Sequence, residues 1–95
     1  MLFLVAGLFK EGVEQRLMDL RNEVNELLSQ PSPKISLAGV LRDKDRRRVG
    51  YLTLIEADDF EGAETFLNRS PFYQNDLYEQ VQVAEFNPEI GKVEA

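Results

Sequence analysis

The hydrophobic pattern of the chain changes period several times. Met1 to Phe9 is apolar throughout, a run too short to cross a bilayer and suited to a buried strand. From Gly12 the apolar positions are Val13, Leu17, Leu20, Val24 and Leu27, spaced by four and three. That spacing predicts one amphipathic helix, with the charged and amide residues between them forming its wet face. Pro31 and Pro33 stop it. Lys34–Arg42 and Val49–Ala57 read as strands, and the polar stretch Asp43–Arg47 between them reads as a hairpin turn. Asp58 starts a second helix, with Glu61 three residues on as in a capping box. Phe60, Ala63, Phe66 and Leu67 are its apolar stripe, and Ser70-Pro71 ends it. Val81, Val83 and Phe86 alternate with polar residues in a last strand that Asn87-Pro88 closes.

The predicted order is β-α-β-β-α-β within one domain, residues 1–95, with a loose polar tail over 88–95. Two crossovers joined by a hairpin predict the ferredoxin-like α+β sandwich, its helices on one face of a four-stranded antiparallel sheet. A sheet with one wet face should alternate apolar and polar residues. The first strand does not: Leu2, Leu4 and Ala6 point one way, Phe3, Val5 and Gly7 the other. In the third strand Tyr51, Thr53 and Ile55 oppose Leu52 and Leu54. Both faces are apolar, which predicts a homodimer packed sheet to sheet.

Composition narrows the chemistry. The 95 residues include no Cys, His or Trp. Disulfides, thiolate nucleophiles, Cys/His zinc sites and imidazole bases are therefore excluded. The net charge of −6 is unevenly spread. Residues 34–53 carry six basic and two acidic side chains, whereas residues 54–95 carry two and ten. Arg42, Lys44, Arg46, Arg47 and Arg48 at the hairpin are suited to steer an anionic ligand. They are equally suited to a solvated turn that protects edge strands. A negative total charge and no aromatic-rich RNA-recognition strand argue against nucleic acid. Asp58, Asp59 and Glu61 read as helix-start residues rather than a metal site. No metal or cofactor is expected, no membrane association, and the cytoplasm is the default compartment.

The segment from Ser70 to Phe86 adds a family likeness. Pro71, Leu77, Tyr78, Glu79, Val81, Val83 and Phe86 resemble the C-terminal signature of the YCII-related (YciI-like) family. Leu37-Ala38-Gly39-Val40 resembles that family's second-strand motif, with Val40 in a proline position, and Met1–Val5 is similar to its opening. The resemblance implies a dimeric α+β barrel built from ferredoxin-like protomers. It also implies a site pairing a histidine on the first helix with the aspartate of an Asp-Pro motif. Those positions fall at or near Asn22 and on Ser70 in this chain, so the acid/base dyad is missing.

What remains is a scaffold with neutral hydrogen-bonding groups, Asn22 and Ser70, at the dyad positions. Asn22, Arg42, Ser70, Tyr73 and Asp76 are the candidate pocket lining. Phe72, Tyr73 and Tyr78 form an aromatic cluster that walls a ligand pocket or a dimer contact, or simply packs. The leading expectation is a homodimer that binds a small metabolite, an anion being one option, or a protein partner, without dyad catalysis. Two alternatives stay open. One is an isomerase- or lyase-like enzyme whose base is a carboxylate or tyrosine, with Glu23, Asp76, Tyr73 and Tyr78 as candidates and Arg42 holding an anion. The other is an assembly component of a larger complex.

Overall fold

The computed structural model describes residues 1–92. Their elements are β1 (Leu2–Phe9), α1 (Glu14–Asp19), α2 (Arg21–Leu28), β2 (Ile35–Arg42), β3 (Arg48–Glu56), α3 (Phe60–Arg69), α4 (Pro71–Gln74) and β4 (Tyr78–Glu85). The strands form one antiparallel sheet in the order β2-β3-β1-β4, the ferredoxin-like arrangement predicted from the pattern. Register follows the alternation of side chains. Phe3 pairs with Ile55 and Val5 with Thr53, all pointing at the helices, while Leu4 pairs with Leu54 and Ala6 with Leu52 on the opposite face.

Two apolar clusters fill the helix side. Phe3, Val5 and Ile55 meet Ala63, Phe66 and Leu67 of α3. Leu17 and Val24, from α1 and α2, meet Phe72 and Leu77. Tyr78 packs against both and joins them. Its ring lies against the backbone of Gly7, where any added Cβ would collide with it. The hairpin turn is set by Asp43, whose Oδ1 accepts from the backbone N–H groups of Asp45 and Arg47 at 2.9 and 3.0 Å.

Four local expectations need correction. The first helix is two helices, meeting at Leu20 (φ −94°, ψ 4°), although backbone bonds from Leu20 to Arg16 and from Val24 to Leu20 hold the turn together. The apolar stripe continues across this bend, which is why its spacing looked unbroken. The N-cap of α3 is Asp59, not Asp58: its carboxylate accepts from Gly62 N at 2.9 Å, so Glu61 is not the third residue of the turn and no capping box forms. Pro71 ends α3 but also opens α4, since its missing N–H is no loss in a first turn. β4 begins at Tyr78 rather than Val81. Of the expected loose tail, residues 88–92 form no helix or strand, and residues 93–95 lie outside the described residues.

Candidate functional site

The helices stand over β1 and β4 and leave part of β2 uncovered on their own side. The gap between the α1–α2 unit and the β2–β3 hairpin is a groove of about 310 Å³. Leu17, Val24, Val40 and Phe72 give it hydrocarbon walls. Arg21, Asn25, Arg42 and Arg48 line it with cations and one amide, and Tyr51 completes it. The chain brings these groups together by simple means. Arg42 and Arg48 are register partners at the hairpin end of β2 and β3. Arg21 and Asn25 lie four residues apart on α2, hence on one face.

Charge in the groove is one-sided. None of the residues lining it is acidic, and among the described residues no carboxylate forms an ion pair with Arg21, Arg42 or Arg48. Arg42 donates from Nη1 to the Arg46 carbonyl at 2.9 Å. The Arg48 Nε is buried and has no hydrogen-bond partner. A guanidinium donor in that state lacks the acceptor that water or a ligand oxygen supplies. Burial pushes the Tyr51 phenol up from its ordinary value, and the nearby Arg48 charge pulls the other way.

Behind Tyr51 and Phe72 lies a second, narrow slot of about 20 Å³, room for a single water. Val24, Tyr51 and Phe72 line both spaces. The slot's polar groups are hydroxyls: Thr53, Ser70, Tyr51 and Tyr78. Thr53 donates to the Val5 carbonyl at 2.9 Å. Burial pushes the Tyr78 phenol up to about 12, with hydrogen bonding to Ser70 opposing and Tyr51 adding to the rise. The wall between the spaces is an aromatic lattice. Phe9 meets Phe72 edge-on at 5.0 Å and stacks on Tyr78 at 5.4 Å, while Phe72 sits 5.5 Å from Tyr51.

The five expected lining residues do not share one site. Arg42 lines the groove and Ser70 the slot. Asn22 is exposed and lines none of the described cavities; the α2 residues that line the slot with Ser70 are Val24, Leu27 and Leu28. Tyr73 is exposed on α4, and Asp76 is exposed in an ion pair with Lys10 at 2.9 Å. That pair and its hydrogen bond hold the Asp76 carboxyl below its ordinary value. Of the aromatic cluster, Phe72 and Tyr78 pack and Tyr73 does not. Sequence reasoning missed Arg21, Asn25 and Tyr51. The spacing of Arg21 and Asn25 around Val24 carried part of the signal, but only the bend at Leu20 aims that face at the hairpin. A third cavity, about 540 Å³, lies at the far end of the sheet among side chains of both signs, including Lys34, Glu56, Asp58 and Arg69.

Comparisons with known proteins agree with the geometry of the scaffold. The model of the YCII-related domain matches residues 1–87. A comparison with curated proteins finds no match. Among solved structures, the chain is similar to 5-chloro-2-hydroxyhydroquinone dehydrochlorinase from Burkholderia phenoliruptrix, in complex with 2,5-dihydroxybenzoquinone. That likeness has a TM-score of 0.81 at 22% identity and covers 92% of this chain and 94% of that one. It is also similar to a protein from Bacteriodes thetaiotaomicron described as an antibiotic biosynthesis monooxygenase, with a TM-score of 0.58 at 13% identity. That match covers 100% of this chain and 94% of the other. At these identities the likenesses establish the ferredoxin-like α+β fold and nothing about chemistry.

Proposed function

The chain belongs to the YCII-related family, and on that premise we propose that it is a homodimer holding a small organic anion in the arginine-lined groove, without dyad catalysis. The observation that carries this reading is the groove's charge. Arg21, Arg42 and Arg48 converge on it with no acidic lining residue to neutralise them. Three unpaired guanidinium groups beside a hydrocarbon wall favour an anion with an apolar part. The dehydrochlorinase with the same fold carries a small oxygen-bearing ring compound, which supports a scaffold suited to ligands of that size. The homodimer is supported by the opposite face of the sheet. Leu8 and Leu37 there are exposed, flanking the half-buried Leu4, Ala6 and Leu52.

Catalysis by a carboxylate or tyrosine base finds little support in this site. No carboxylate lines the groove or the slot. Both phenols that line them are shifted upward, so at neutral pH they donate hydrogen bonds rather than accept protons.

Thermal-shift measurement at low salt against a panel of small carboxylates and phosphates tests the reading. Stabilisation by at least one anion is expected, and its loss in the Arg42→Gln, Arg48→Gln double variant. A panel with no stabilising anion, or stabilisation that survives the double substitution, contradicts it.

A further inference from the structure

Resting on that anion-binding reading, we infer that the ligand of the groove is an aromatic carboxylate, its ring against Tyr51 and Phe72 and its carboxylate on Arg48 and Arg42. The division of the lining is the first reason. Hydrocarbon and aromatic side chains make the walls, and the guanidinium groups belong to α2 and the hairpin on either side. An inorganic anion satisfies the arginines but leaves the exposed Val40 and the half-buried ring of Tyr51 in water. A neutral ring does the reverse. A molecule with one charged end and one apolar end satisfies both.

Arg48 is the second reason. Its Nε is buried without a partner. The rest of the guanidinium lines the groove, and its two terminal nitrogens form a planar fork that matches the two oxygens of a carboxylate. The third reason is the aromatic wall. Tyr51 and Phe72 stand 5.5 Å apart at 57°, a tilted pair. A flat ring fits against such a pair by offset stacking or edge-on, and neighbouring guanidinium groups gain from its π face. The Tyr51 hydroxyl, which burial keeps protonated, is a donor for a ring substituent or for the carboxylate. A volume of about 310 Å³ is at the small end for ligand sites and suits a single substituted ring.

The test uses the full chain at low salt and four probes measured by calorimetric titration: benzoate, cyclohexanecarboxylate, benzamide and inorganic phosphate. Benzoate is expected to bind about tenfold more tightly than each of the others. Arg42→Gln and Arg48→Gln should each weaken it about tenfold, whereas Arg47→Gln, on the exposed turn outside the groove, should not. Arg42 is exposed, so its variant keeps the test valid if Arg48→Gln fails to fold, with circular dichroism as the check. If phosphate binds as tightly as benzoate with the same dependence on Arg42, the groove takes anions but the aromatic class is wrong. Equal binding of cyclohexanecarboxylate overturns the aromatic class as well. If neither benzoate nor phosphate binds, the anion-binding reading falls too.

Discussion

The two faces of the sheet are built from alternate residues of the same strands, yet they end differently. On the helix side Phe3, Val5, Thr53 and Ile55 disappear beneath α3 and the aromatic lattice. On the other side Leu4, Ala6 and Leu52 are half-buried and Leu54 is buried among its strand neighbours, and Leu8 and Leu37 flank this apolar strip exposed. Apolar content does not separate the faces; the supply of cover does. Two short helical layers suffice for one side of four strands, and they leave a gap over β2 that the arginines line. Under the proposed homodimer the side with no helices takes its cover from a second copy, which would present an identical apolar strip.

Substitutions on the two faces should therefore fail in different ways. Phe3→Ala opens a hole in the fully buried cluster and should cost about 3–5 kcal/mol, read as a fall in unfolding midpoint at every protein concentration. Leu37→Glu places a charge on an exposed edge of the open face. It should leave the fold of the protomer nearly intact, within about 0.5 kcal/mol, while abolishing association in sedimentation. If Leu37→Glu unfolds the protein as Phe3→Ala does, the contrast between the faces is wrong.

Tyr78 sharpens the helix side alone. Its folded pKa of about 12 exceeds the ordinary 10.0. Stability from the buried neutral phenol is thus complete below the ordinary value and lost as pH rises through the folded one. From below the ordinary value to above the folded one wild type should lose about 3 kcal/mol that Tyr78→Phe does not, measured by denaturant titration along the alkaline series. The smallest effect is expected at Lys10. Asp76 is held below its ordinary 3.8 by that lysine. The stabilisation is present above the ordinary value and lost as pH falls through the folded one. Lys10→Met should melt slightly below wild type at neutral pH and converge with it in acid.

The sequence made the layers legible because burial follows period. The unbroken apolar run of Met1–Phe9 and the three-four spacing from Val13 to Leu27 are direct consequences of which side chains must leave water. The bend at Leu20 was not legible, since no glycine or proline marks it and its apolar stripe runs straight through. The groove was half legible: the basic hairpin stood out as a charge cluster, but its partners Arg21 and Asn25 depend on the angle of α2. Asn22 illustrates the limit of placing a residue by likeness alone. A shift of two positions along a helix turns a side chain through about 200°, enough to exchange a pocket-facing Val24 for a solvent-facing Asn22.

Sedimentation equilibrium of the wild-type chain at low micromolar concentration tests the completed sheet most directly. The account predicts a single species at twice the chain mass of 10.9 kDa. A stable particle at that mass itself, with no trend on concentration, would contradict it.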